Sequence, residues 1–525
     1  MKVMRLHTLR LLLAAGILLA ATASCYNYDQ EDVINLAENH FINVTISVST
    51  SDAPATRAPQ GGEYGDGTER GIDDRENKIN NITLIFYQDN TDINQNNTDI
   101  NTTSENAKVV CVERYSVRPF DEASDKPTTH NHKDTEPTSN HYPKEVLYTT
   151  GNQKLENTPL VIGQSYKVLV VANAEDLYVT VGDKIKDVRE QVLSSVFTGT
   201  GIGIDASNFV MASETDATVT LEDPTKETVD GENRMIYYFD CIHIERLAAR
   251  IDYNTTGGQY AENIVMGPNG EPANDPAAIN RSYRGYKYRG SGNEFFVVTK
   301  VTAFNLYDES EFCFKRIRNN WTDATPTITY LGDESTTNYV VDPNTENKVN
   351  VPTTLNYLNP IANLNQQPGP AGGSLVNNTY TQVMADVYNT SLFTDNQGNK
   401  NVIIGYAKEN TLRPGSLLKT YATGIAFEIK YYNSENDPHP KYFVYYHYLR
   451  HQGEKEAGSY QAKKLEDIAT DNEIYNPSES SPAMNYGIVR NNIYRVSIEG
   501  MTPDKVTLLI KVKKWDKFVH EPIYM

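Results

Sequence analysis

The chain has 525 residues and a formal net charge of -20, with 39% hydrophobic and 22% charged residues. A globular composition this acidic repels phosphate backbones and argues against nucleic acid as a partner. Aromatic content is carried by Tyr, with 35 Tyr against 15 Phe and 2 Trp, and Tyr suits strands and half-exposed surfaces.

The first residues read as an address. Lys2, Arg5 and Arg10 flank the start of an apolar run from Leu11 to Ala21, and Thr22, Ala23 and Ser24 lead into Cys25. Charge, apolar run and small residues in that order make 1–24 a secretory signal peptide. The run is too short to span a bilayer, which takes about 20 residues. The small residues before Cys25 resemble the lipobox of bacterial lipoproteins, although Thr22 stands where leucine is usual. The resemblance implies cleavage before Cys25 and acylation there, and several acyl chains anchor a protein stably. The remaining Cys111, Cys241 and Cys313 show no Cys-x-x-Cys spacing. They are expected as small buried hydrophobes, with at most one disulfide among them.

After a polar, acidic tether, Ile42, Val44, Ile46 and Val48 alternate with Asn43, Thr45, Ser47 and Ser49, the pattern of a half-buried strand. Residues 51–76 form a Gly-, Pro- and Asp-rich loop carrying Arg57, Arg70 and Arg75, a good protease target. Further strands are expected at Ile79–Tyr87, at Tyr166–Asn173 (a buried apolar run), at Ile242–Asp252 and at Phe295–Leu306. The spacing of Val188, Val192 and Val196 predicts a helix over Asp187–Phe197 with Asp187 as its N-cap. Closing strands are expected at Ile425–Tyr432, Tyr442–Arg450, Asn492–Glu499 and Lys505–Trp515. Many short strands between turn signals argue an all-β, β-sandwich class, with a domain boundary near residue 240.

Several segments resemble the fimbrillin, or type V pilin, family of the Bacteroidales, and most closely its minor-fimbrium stalk subunits. The carrying residues are Arg57-Ala58, Lys78–Leu84, Tyr166–Asn173, Glu245–Asp252, Tyr445–His451 and Tyr486–Tyr494, the last resembling the family's C-terminal domain motif. The resemblance implies two tandem transthyretin-like β-sandwich domains, over 58–240 and 241–525, behind a lipidated propeptide at 25–57. It implies a structural subunit of a cell-surface fimbrium that supports adhesion and biofilm formation, with the precursor lipid-anchored at the outer membrane. It also implies an assembly route. An Arg-specific protease cuts after Arg57, with Arg70 as the alternative. The leaving strand Ile42, Val44, Ile46, Val48 departs, and the groove it opens takes a strand from another subunit. The expected donor is the alternating run Val506, Leu508, Ile510, Val512. Strand addition of this kind draws affinity from main-chain hydrogen bonds and register from alternate side chains. Heterologous contacts of this sort build open filaments. The partners implied are further copies of the chain, tip and anchor subunits, the protease, and receptors on host or bacterial surfaces. The bland alternative for 505–515 is that it closes its own domain.

No cofactor, resident metal or catalytic group is expected, and the chain does not read as an enzyme. His130, His132 and His141 share a polar loop with Asp134 and Glu136 and read as solvated. Gly199–Gly203 lacks the strand-loop-helix setting of a phosphate loop. The competing functions are a tip or anchor subunit of the same family, and a surface glycan-binding lipoprotein offering Tyr, Trp321 and Trp515 to sugars.

Overall fold

In a computed structural model, the structure describes residues 40–48, 68–70, 74–88, 107–120, 148–155, 158–196, 199–200, 208–213, 217–229, 231–255, 261–263, 284–287, 295–308, 311–313, 316–318, 328–330, 357–358, 360–361, 385–386, 393–395, 398–410, 412, 415–433, 439, 441–450, 458–475, 486–502 and 505–516. The main strands are β1 (His40–Val48), β2 (Thr68–Arg70), β3 (Asn81–Gln88), β4 (Lys108–Ser116), β5 (Ser165–Ala172), β6 (Met211–Ser213), β7 (Glu232–Arg246) and β8 (Ala249–Asn254). They continue as β9 (Phe295–Phe304), β10 (Lys400–Ala407), β11 (Gly424–Tyr432), β12 (Lys441–Tyr448), β13 (Gly458–Lys464), β14 (Asn492–Thr502) and β15 (Lys505–Asp516). Helices are minor: α1 (Ile185–Arg189), α2 (Leu418–Tyr421) and two 3-10 turns at Asp74–Asn77 and Leu465–Thr470. The expected all-β class is what forms, in two large curled sheets.

The first sheet runs β4-β3-β5-β6-β7-β1 and continues past β1 through Tyr148–Thr149 and Arg118–Pro119. The second runs β10-β8-β14-β15-β13-β12-β11-β9. The chain passes from one to the other at Leu247-Ala248, between β7 and β8. The expected single strand over Ile242–Asp252 is therefore two strands in different sheets, and residue 240 lies inside β7.

The central strands β3 and β5 of the first sheet are apolar on both faces because both faces are covered there. In β3, Leu84 and Phe86 face one core while Ile85 and Tyr87 face another, and in β5 Val168 and Val170 alternate with Leu169 and Val171 in the same way. Period-two alternation with both sets buried gives the near-continuous apolar run seen in Tyr166–Asn173. At the end of β5, Asn173 adopts φ 57, a conformation Asn tolerates. Its amide bonds Asn80 N, Lys78 O and Phe209 O, tying three segments together.

The helix expected over Asp187–Phe197 is shorter and earlier. α1 ends at Arg189, Lys184 stands at its N-cap, and Val192–Leu193 is extended. Val188 does face the core, but the next turn is unwound by pairing with Glu311–Phe312, and Cys313 N donates to Gln191 O. Tertiary strand pairing overrides the helical spacing here.

Candidate functional site

β1 sits inside the first sheet with both backbone edges engaged. Along β7 it runs parallel, from His40 opposite Met235 to Val48 opposite Ile244. Among the described strands of this sheet that is the one parallel pairing. On its other edge, Thr45 and Ile46 pair with Thr149 and Tyr148, and Phe41 and Ile42 with Lys154 and Gln153. Thr150 N donates to Val44 O, Leu155 N donates to His40 O, and Val44 N donates to Thr150 Oγ1, each at 3.0 Å. Ile42, Val44, Ile46 and Val48 are all 0% exposed and pack with Phe86, Leu155, Val170 and Phe239. The expected apolar face is thus one wall of the core. The opposite face is also covered towards its end, since Thr45 and Ser47 are buried. At the start of the strand His40 stacks on Tyr237 at 5.8 Å and the Arg234 guanidinium lies over Phe41 at 5.1 Å. A β-bulge sets the register. Val44 faces Phe239 and Ile46 faces Ile242, so two residues of β7 oppose Thr45.

Behind the slot, the two sheets meet around a buried ion network that the sequence reading missed. Arg250 Nη1 pairs with Glu76 Oε2 at 2.9 Å, and Arg250 Nε with Asp252 Oδ1 at 3.0 Å. Arg495 bridges Asp252 at 3.0 Å and Asp395 at 2.9 Å. Tyr406 Oη and Trp515 Nε1 both donate to Glu76. Arg246 donates to Glu76 O, to Asn491 Oδ1, to Trp515 O and to Asn77 Oδ1, and lies 4.4 Å from the Trp515 ring centroid. Two guanidinium groups thus pair with three carboxylates with almost no water contact, and a third, that of Arg246, bonds the backbone carbonyls and amides beside them. Burial alone would lower the Arg250 pKa, but Asp252 and then Glu76 outweigh it and hold it above its ordinary value. Asn491, at φ 57, closes the ring: its N donates to Ala248 O and its O accepts from Trp515 N. The signal for this network was present at Arg250 and Asp252. Opposite charges two residues apart on a strand share a face, and within an apolar run they are tolerated only as paired ions.

Cys25 and Arg57 lie outside the described residues, as do His130, His132, His141 and Trp321. Arg70 ends β2, which adds in parallel to the end of β15, Thr68 opposite Lys514 and Arg70 opposite Asp516. Val506, Leu508, Ile510 and Val512 are buried within their own sheet, where β15 pairs with β14 on one edge and β13 on the other. Serving as a donor would require β15 to leave both neighbours and withdraw fully buried Trp515 from the junction. The other expected features fall into structural roles. Cys111 and Cys313 are free and buried, and burial pushes each thiol up to about 12. Gly199–Thr200 is a short strand against β10. Among the described residues, no group of three or more His, Cys, Asp or Glu is placed to hold a metal ion.

The second sheet carries a polar cleft of about 470 Å3 between β12, β13 and the 465–470 turn. Its polar groups bond one another. Tyr446 and Tyr448 hydroxyls and Lys463 Nζ all donate to Asp471, and Lys463 also reaches Glu473. Burial pushes the Asp471 carboxyl up, but those donors outweigh it and hold it below its usual range.

His447, on the opposite face of β12, stacks on Tyr460 at 5.2 Å. Burial, then the nearby Arg450 charge, lowers its pKa to about 4. Between that value and the unfolded value of about 6.5, the unfolded chain binds a proton that the native chain refuses. Stability is therefore fully present above about pH 6.5 and is lost as pH falls toward 4, by about 1.4 kcal/mol per unit. Urea unfolding midpoints across this range are expected to show that slope, and His447→Gln to remove its share between pH 6.5 and 5, leaving the contribution of His40, whose pKa burial also lowers. The carboxylates held low, Asp395, Asp471 and Glu473, add their own loss only below their unfolded values, about 3.9 for Asp and 4.3 for Glu.

No family model and no curated protein matches the chain. Solved structures do, at low identity. A putative cell adhesion protein from Parabacteroides distasonis is 13% identical, with a TM-score of 0.34, over 92% of this chain and 98% of its own. A fimbrilin from Porphyromonas gingivalis is 12% identical at TM-score 0.34, over 93% and 100%. The tip fimbrial protein Mfa3 of the same organism, with a C-terminal truncation, is 9% identical at TM-score 0.30, over 91% and 100%. These scores are too low for the likeness to bear on what this chain does.

Proposed function

We propose that the chain is a subunit of a cell-surface fimbrium, made as a lipoprotein precursor through Cys25 and activated when an Arg-specific protease releases β1. The observation that carries this reading is β1 itself. It is a nine-residue strand with four fully buried aliphatics, inserted parallel to β7, and it precedes the arginine-bearing segment. Its departure would leave an apolar slot with two unpaired backbone edges, which only another strand can satisfy. The mature part would begin after Arg57 or Arg70, with two sandwiches that divide at Leu247-Ala248, where the chain leaves β7 for β8, rather than at residue 240. Adhesion and biofilm support follow from a surface filament, and its partners are other subunits and surface receptors.

Arg70 is the less suitable cut. Its backbone is held in a ladder with Asp516, and a protease needs the scissile segment free to enter its cleft. Arg57→Ala is therefore expected to block processing and Arg70→Ala to leave it intact. The test is the N-terminus of protein sheared from cells, read by mass spectrometry. A start at Ala58 supports release of β1. Acylated Cys25, found only in membrane-bound material, would sink the reading and favour an anchor or a lipoprotein that stays put.

β15 is paired on both edges, by β13 and β14, and carries the buried Trp515, which favours accepting a strand, as a tip subunit would, over giving one. Donation of Val506–Val512 is the second reading, favoured by the alternation of that run. Val496 and Ile510 face each other across β14 and β15. A Val496→Cys, Ile510→Cys disulfide would hold β15 in place. Assembly unaffected by that bond rules out donation, and assembly abolished by it and restored by reduction supports a stalk.

A further inference from the structure

We infer that the β1 slot takes a strand from a different protein, selected by small uncharged side chains at the positions of Thr45 and Ser47; this rests on the proposed release of β1. Three features of the slot define what fits. Four alternate positions, those of Ile42, Val44, Ile46 and Val48, require aliphatic side chains that reach zero exposure. The intervening positions are not an open solvent face. Thr45 is 3% and Ser47 0% exposed, and Asn43 exchanges side-chain bonds at 2.9 Å with Thr149 and Asn152. The bulge opposite Thr45 fixes where along β7 the pattern must fall.

Neither C-terminal segment of this chain meets those terms. With Val506, Leu508, Ile510 and Val512 on the four aliphatic positions, Leu509 replaces Thr45 and Lys511 replaces Ser47. That puts a long ammonium side chain where the structure encloses a serine. Sliding two residues either way sets Asp504 at the Ile42 position or Lys514 at the Val48 position. The tail Lys517–Met525 does no better. One parity puts Glu521 on an aliphatic position, the other His520 and Pro522, and Pro also lacks the ladder N–H. A mature copy of this chain, which has lost β1, thus offers no C-terminal strand that fits parallel to β7, and the occupant comes from another polypeptide. It would run parallel to β7, be aliphatic at alternate positions and carry Ser, Thr, Ala or Gly between them.

The test uses the full precursor nicked after Arg57 and labelled peptides that compete with the resident β1. The peptides are residues 40–48, the same peptide with Ser47→Ala, the same with Ser47→Lys, and residues 504–512. The parent and Ser47→Ala peptides are expected to exchange in with similar affinity. The Ser47→Lys peptide and 504–512 are expected to bind roughly 100-fold more weakly, because a long ammonium side chain must be desolvated where the structure encloses a serine. Binding of either within threefold of the parent would overturn the selection. Failure of the parent itself to exchange would overturn the release of β1, and the inference with it.

Discussion

A chain that starts at Ala58, and so lacks β1, is expected to lose most of the stability of its first sheet. Four fully buried aliphatics at about 1.5–3 kcal/mol each amount to roughly 6–12 kcal/mol, and the paired backbone edges add to it. Domain stabilities are only about 5–15 kcal/mol in total, so an empty slot is close to incompatible with a folded first sheet. Hydrogen exchange read by mass spectrometry separates the two sheets. Amides of β7 from Met235 to Ile244 and of 148–155 should lose protection, while β11, β12 and β14 keep theirs. Supplying residues 40–48 as a peptide should restore it. Unchanged protection of β7 in the truncated chain would mean that β1 is dispensable, and a strand-accepting subunit would then need another slot. The same energetics explain why a strand would be kept until assembly: the precursor carries its own occupant.

What could be read from the sequence follows from how local each signal is. Alternation at Ile42–Val48 and the unbroken apolar run at Tyr166–Asn173 gave strands because side-chain period and burial are set within a few residues. The closing strands around Phe427, Tyr445, Val496 and Leu508 were legible for the same reason. The helix at Asp187 was overextended because Val192–Leu193 answers to Glu311–Phe312, more than a hundred residues away, which no local window contains. The junction network was hidden more deeply. Glu76, Asp395 and Trp515 look like ordinary loop or strand residues until the fold brings them to Arg246, Arg250 and Arg495. The stretch Glu245–Asp252 could be read as family-like and strand-like. That it is the crossing point of two sheets, with Arg246 in one and Arg250 in the other, depends on the pairing partners of each half.

The network makes the second large prediction. Arg250→Met removes one cation from two carboxylates at once, Glu76 and Asp252, leaving the Tyr406 and Trp515 donors on the first and Arg495 on the second without the charge that joined them. Breaking a buried pair by removing one partner costs about 3–5 kcal/mol, because the abandoned carboxylate cannot recover its water. Replacing both partners is milder, so Arg250→Met combined with Glu76→Gln should recover part of the loss. Trp515 reports directly on this point. In a Trp321→Phe background it is the only indole, and it is fully buried between Phe209, Tyr406 and Arg246. Urea unfolding followed by its emission should shift to lower midpoint in Arg250→Met and move part of the way back in the double variant. A double variant no more stable than the single one would mean that the pair acts through packing rather than charge. The junction would then be held by the Trp515 stack. The tie between β1 release and the second sheet would run through apolar contact, since Ile493, Tyr406 and Trp515 share the core that β1 closes.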